Sequence, residues 1–256
     1  MILLIDAGNT RIKWALVETT DGGRGAASGA LDNSAANWSC SGVLPVEQAG
    51  ELAQQLAGFP EIEQVWVSNV AGEEIAQLIR NIPAVQFHWV RAREAQCGVR
   101  NGYSDAAQLG SDRWTALIAA WRMMGRSCLV VSSGTATTID ALSVQGEFLG
   151  GLIVPGIELM QRSLYGATAQ LRAAPGNYEA FPRNTADALY SGAIQASCGA
   201  IERQHALLGD SDAPVVLSGG AAEQLRKHLE RLNLPLCIAD NLVLQGLLLI
   251  AKEMDA

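Results

Sequence analysis

No apolar run in this 256-residue chain approaches the roughly 20 residues needed to cross a bilayer. The opening Met1-Ile2-Leu3-Leu4 is strand-like, with no basic stretch and cleavage site. A soluble, cytoplasmic protein with no membrane partner is expected. Cysteine is scarce and scattered: Cys40, Cys97, Cys128, Cys198 and Cys237 are odd in number and lack a C-x-x-C pair, which argues against a disulfide framework and against a zinc site. His88, His205 and His228 have no metal-ligand spacing either. Lysine and arginine number 18 against 26 acidic residues, for a net charge of −8, and the densest basic stretch, Arg91, Arg93 and Arg100, is interrupted by Glu94. No patch for nucleic acid results. No G-x-x-x-x-G-K-[ST] occurs, which disfavours a P-loop fold.

Hydrophobic residues make up 49% of the chain, enough for one large core or two ordinary domains, and two is the better expectation. Residues 1–18 read as two strands around a tight turn, and the glycines from Gly22 to Gly29 as a link to a third. "EQAGELAQQLAGF" has helical spacing, "QVWVSNV" reads as a buried strand and "GEEIAQLIRNI" as the helix after it. Strand then helix, repeated, predicts an α/β fold. "SDRWTALIAAWRMM" puts Trp114, Leu117, Ile118, Trp121 and Met124 on one helical face, with Ser111 or Asp112 as N-cap. A long helix is predicted from Thr185, strand, glycine turn and helix from "APVVLSGGAAEQLRKHLE", and a closing helix from "NLVLQGLLLIAKEM".

The opening recurs in the middle. An offset of 126 residues lays "LLIDAGNTRIKWALV" over "LVVSSGTATTIDALS" without a gap, Gly8 on Gly134 and Ile12 on Thr138. A shared hairpin pattern or a duplicated domain would each produce this. The chemistry of the tips suits duplication around a nucleotide. Glycine lets backbone N–H groups approach a phosphate, the Thr10 and Thr135 hydroxyls can donate to it, Asp6 can hold Mg²⁺ directly or through water, and Lys13 on the returning strand can add a point charge. "VVLSGGAAEQL" adds a strand, two glycines and a helix start.

"IDAGNTRIKW", "LGSDRW", "SSGTATTID", "GGLIVPGI" and "LSGGAAEQL", in this order across nearly the whole chain, resemble type III pantothenate kinase, of the actin, Hsp70 and sugar-kinase superfamily. The resemblance implies two duplicated ribonuclease-H-like (actin-like ATPase) domains with a nucleotide cleft between them, residues 1–115 and 116–256. It further implies a homodimer that phosphorylates pantothenate with ATP to begin coenzyme A synthesis. By the same resemblance Asp6, Ala7, Gly8, Asn9, Thr10, Arg11, Ile12 and Lys13 form the first phosphate loop, with Asp6 at the Mg²⁺ end, and Thr135 binds ATP in the second. Gly110, Ser111, Asp112 and Arg113 are the family's substrate-binding G-x-D-R, with Asp112 also the base that receives the substrate hydroxyl's proton. Tyr103 and Thr185 match substrate-binding positions. Read without the family, Asp112 and Thr185 are helix N-caps, Tyr103 a packing residue and Arg113 a surface ion-pair partner. Trp14, Trp66, Trp114 and Trp121 read as core.

Two positions depart from the family's pattern. Where it usually has an Asp that binds K⁺ or NH₄⁺, this chain has Ser132, a neutral hydroxyl that supplies far less field, so a monovalent-cation requirement is doubtful. A family proline is replaced around Ala106 and Ala107, which predicts a looser loop. Two alternatives to the kinase stay open: a nucleotide-binding regulatory protein of transcription without turnover, and a related sugar or acetate kinase.

Overall fold

The computed structural model describes residues 1–18, 38–59, 62–167 and 174–254; the Gly22–Gly29 link lies outside them. The chain forms two units, Met1–Met123 with Asn241–Ala256, and Met124–Asp240.

The first unit is built on β1 (Ile2–Ala7), β2 (Arg11–Val17), β3 (Cys40–Pro45), β4 (Ile62–Asn69) and β5 (Ala84–Trp89), in the order β3-β2-β1-β4-β5. β2 is antiparallel to β1 and β3, whereas β4 is parallel to β1 and β5. Four consecutive apolar residues, Ile2 to Ile5, make β1 a strand buried on both faces. Leu3, Ile5 and Ala7 join Val65, Val67, Ile12, Trp14 and Leu16 in one core, which α1 (Leu52–Leu56) and α2 (Glu73–Arg80) cover. Packed against β1, β2 and β4 is α7 (Leu242–Met254), whose Leu244, Leu247, Ile250 and Ala251 are buried. A short hairpin of β6 (Ala95–Gln96) and β7 (Val99–Asn101) precedes α3 (Ser111–Met124).

The second unit repeats the plan. β8 (Cys128–Ser133), β9 (Ala136–Leu142) and β10 (Glu147–Pro155) form an antiparallel meander, β11 (Val215–Ser218) pairs parallel with β8, and β12 (Leu236–Ile238) pairs parallel with β11. The order β12-β11-β8-β9-β10 has the neighbours and directions of β5-β4-β1-β2-β3. The fold is therefore a duplicated ribonuclease-H-like domain, with α4 (Ile157–Ala167), α5 (Thr185–Leu208) and α6 (Ala222–Leu229) as further helices.

Several details correct the sequence reading. Ala7 pairs with Ile12 across the first hairpin but Ser133 with Thr137 across the second, so the second tip is one residue shorter and Ile12 corresponds to Thr137, not Thr138. The two repeats align only with a gap. A boundary at 115/116 would cut α3, and the closing helix α7 belongs with the first unit because its apolar residues pack on β1, β2 and β4. Rather than burying one face, α3 is buried at every position from Arg113 to Ala120. Ser111 opens α3 behind Gly110, whose carbonyl accepts the Trp114 N–H, so neither Ser111 nor Asp112 is the N-cap. Asn184, accepting the Asp187 N–H, caps α5 in place of Thr185.

Candidate active site

Near the end of β1, Asp6 stands opposite Lys13 on β2 and Ser68 on β4. Alternation along each strand puts these three side chains on one face of the sheet. Burial pushes the Asp6 carboxyl up to about 7, with nearby Lys13 opposing the shift and the negative charge of Asp112 adding to it. Two carboxylates and an ammonium group from three separate elements thus share one local field.

Asp112 lies in the first turn of α3, where its Oδ1 accepts the Arg113 backbone N–H at 2.8 Å. A Cβ on Gly110 would lie 2.6 Å from that oxygen, so the glycine of "LGSDRW" makes room for the carboxylate. The next residue, Arg113, is buried and donates from Nη1 to the Tyr103 hydroxyl at 3.0 Å, its guanidinium carbon 5.7 Å from the Tyr103 ring centre. This corrects both bland readings from sequence: Arg113 is not on the surface, and Tyr103 offers a polar contact as well as packing. The loop between them is tied down. The Tyr103 N–H donates to Asn101, and Asp105 accepts from Ala107 N–H and Gln108 Nε2, capping a turn of 3₁₀ helix over Ala106–Gln108. A side-chain cap supplies here the restraint expected of the missing proline.

At the first hairpin tip Asn9, Thr10 and Arg11 are exposed, whereas Ala7 and Ile12 are fully buried, so these two can offer a phosphate only their main chain. The Thr10 carbonyl accepts the Val46 N–H, pinning the tip to the end of β3.

In the second unit three of the motifs meet. Gly156, just before α4, donates its N–H to the Thr135 carbonyl, and a Cβ there would stand 2.1 Å from the Gly134 oxygen. Gly219, at φ +98°, would place a Cβ 2.3 Å from the Ser133 oxygen, while the Ala221 N–H donates to that same oxygen. Exposed Thr135 is thus presented on a tip clasped from both sides by bare backbone. Below it, half-buried Ser132 pairs with Thr138, and the Ser133 and Thr137 hydroxyls share a buried hydrogen bond of 3.1 Å. Thr185 is exposed at the start of α5.

Sequence reasoning passed over Ser68. It is fully buried, and its hydroxyl lies 2.9 Å from that of Ser111. A polar residue at the end of the apolar "QVWVSNV" was the available sign.

The model for type III pantothenate kinase matches residues 2–206. Type III pantothenate kinases from Nitrosospira multiformis and Aromatoleum aromaticum are 44% and 45% identical, each over 99% of this chain and over 92% and 98% of their own lengths. Among solved structures, a Campylobacter jejuni protein assigned to the Baf family of transcriptional activators superposes with a TM-score of 0.60 at 22% identity, covering 99% of this chain and 98% of that one. The activator of the 2-hydroxyisocaproyl-CoA dehydratase from Clostridium difficile, with bound ADPNP, superposes at 0.50 and 12%, over 99% and 96%. At those identities the structures speak for the shared fold alone, whereas the relatives and the family model span the first hairpin, the G-x-D-R turn and the second hairpin. The chain belongs to the type III pantothenate kinase family.

Proposed function

We propose that the chain performs its family's reaction, the ATP-dependent phosphorylation of pantothenate to 4′-phosphopantothenate that begins coenzyme A synthesis, with Asp112 as the base. The observation that carries the assignment is the convergence of Asp6, Lys13 and Asp112, with Asp112 next to buried Arg113 and its Tyr103 partner. Phosphoryl transfer needs little covalent help from a protein; it needs positioning and charge compensation. The substrate hydroxyl attacks the γ-phosphorus, its oxygen forms the new O–P bond, the bond to the ADP oxygen breaks, and the hydroxyl proton passes to Asp112. Arg113, fixed in direction by Tyr103, supplies a fork of donors for the pantothenate carboxylate or for charge developing on the phosphoryl group. The Thr10 hydroxyl and the main chain of the first tip are donors suited to phosphate oxygens, and within the second unit the Thr135 hydroxyl and the main chain of its own tip are equally so.

Asp6 suits Mg²⁺. It is a hard oxygen donor whose ionised form is disfavoured by burial and by Asp112, and a cation offsets both. Asp6 would hold the ion directly or through water; among the described residues no group of three His, Cys, Asp or Glu could hold a metal. When bound, Mg²⁺ would neutralise phosphate charge. Ser132, paired with Thr138, has a neutral hydroxyl at the position where the family resemblance implies a cation-binding carboxylate, so potassium activation is weak.

The protein works in the cytoplasm as a homodimer. In support, Leu149 and Ile153 on β10 and Leu207 on α5 are more than half exposed, and Leu149 and Leu207 line a groove between β10 and α5, a surface suited to a second copy. Among the described residues no helix is long and apolar enough to cross a membrane.

The test is an ATP-dependent assay with pantothenate beside a panel of sugars and acetate. Selective turnover of pantothenate is expected. Turnover of another acceptor, or nucleotide binding with no turnover, would replace this reading with one of the alternatives.

A further inference from the structure

Ser68 is fully buried near the end of β4, with Asp6 as its cross-strand neighbour on β1. A buried hydroxyl without a partner would be costly, and Ser68 finds its partner in the Ser111 hydroxyl, 2.9 Å away on the first residue of α3. The strand that lies beside Asp6 is thereby bonded to the helix turn that presents Asp112. Two further contacts stiffen that turn from within the same unit. Thr115 Oγ1, also fully buried, donates to the carbonyl of Ser111 or Asp112, at 2.9 and 3.0 Å. Against the Thr115 carbonyl lies Gly246 of α7, where a Cβ would stand 2.0 Å from the oxygen. The helix end can neither slide along α7 nor lift from the sheet without breaking one of these.

We propose that Ser68 is a positioning residue for phosphoryl transfer: by holding Ser111 it sets the distance and direction of Asp112 from Asp6. This rests on Asp112 being the base. The Ser111 hydroxyl, which the family resemblance suggests as a substrate contact, is engaged with Ser68, so its role is to transmit the position of the sheet to the helix. The Ser68–Ser111 bond touches no substrate. Its loss displaces the base without removing it, and a displacement near 1 Å at a reacting centre is worth up to about 10² in rate.

The experiment is a double-mutant cycle of Ser68→Ala and Ser111→Ala, with Ser68→Thr as the variant that keeps a hydroxyl. Assays run well below each variant's melting temperature, with ATP binding measured separately by calorimetry. Each alanine variant is expected to lower kcat by about 10- to 100-fold with KM for ATP and pantothenate changed less than about twofold, the double variant being no slower than the slower single one. Ser68→Thr should recover most of the rate. A merely structural role would lower the melting temperature and leave kcat at the parent value in folded protein. Parent kcat in Ser68→Ala, additive losses in the double variant, or a Ser111→Ala variant that raises KM for pantothenate alone would each overturn the proposal. If Ser68→Ala does not fold, Ser111→Ala removes the same bond from the helix side, and parent kcat there overturns it equally. Failure of this proposal is distinct from failure of the kinase reading: the former leaves a parent enzyme that turns over pantothenate and stops when Asp112 is replaced, while the latter leaves no such activity.

Discussion

At the scale of single residues, the proposed mechanism gives two carboxylates different tasks. Asp112→Asn keeps an oxygen able to accept the Arg113 N–H, so the helix start survives, but removes the proton acceptor; turnover should fall about 10²- to 10⁴-fold with ATP affinity unchanged by calorimetry. Parent turnover would make Asp112 structural. Asp6 behaves differently because its carboxyl is raised to about 7 in the folded protein against an ordinary value of 3.8. Between these values the folded state holds a proton that the unfolded state has lost, so stability falls as pH rises from 4 through 7, and above 7 the ionised group exerts its full penalty. Asp6→Asn escapes it. In urea titrations without Mg²⁺ the variant should be more stable than the parent at pH 8 by roughly 1–3 kcal/mol, and the gain should vanish near pH 4. A gain independent of pH would show that Asp6 is not the group responsible. Ser132 sets the third expectation at this scale: replacing sodium with potassium should raise turnover only modestly in the parent and more in Ser132→Asp. A strong, saturable potassium requirement in the parent would show that the cation site does not depend on this carboxylate.

At the scale of elements, hairpins and glycines carry the argument. The first hairpin announced itself because β1 is an unbroken apolar run ending in Asp-Ala-Gly-Asn-Thr, a strand buried on both faces and then a turn. β10 did not, because Gly150, at φ +124°, and Gly151 interrupt its pattern at a register shift between Phe148 and Gly150. Nor did β5, β12 and α4, short or weakly patterned elements whose partners are far away in sequence. The second hairpin is held from both sides, and this is testable. Gly219→Ala combines a strained φ with a Cβ driven into the Ser133 carbonyl, so it should destabilise the protein by roughly 2–4 kcal/mol in chemical denaturation. The tip loses its clasp as well, so KM for ATP should rise more than KM for pantothenate. An alanine variant as stable as the parent would mean that the backbone there has room to move.

At the scale of the whole molecule, the exposed Leu149, Ile153 and Leu207 predict self-association. Sedimentation at micromolar concentration should show a dimer that Ile153→Asp with Leu207→Asp converts to monomer; a monomeric parent would count against it. The sequence by itself determined the α/β class and offered the charged and glycine residues of the candidate site, but it left the repeat open between a common hairpin pattern and a duplicated domain, which the strand order decided. The class and the site residues follow from local facts: strand and helix periods, turn residues, and side-chain chemistry that does not depend on distant partners. What only the tertiary structure decided was which of those residues meet. The shorter second tip is invisible to an ungapped comparison because register is a property of paired strands. Asp112 and Thr185 lost their N-cap assignments because Gly110 and Asn184 hold the neighbouring positions. α7 lies at the end of the chain yet packs on its first strand, and Ser68 acts on a helix more than forty residues away. Burial and close approach between segments remote in sequence are set by packing of the folded chain, and no local pattern encodes them.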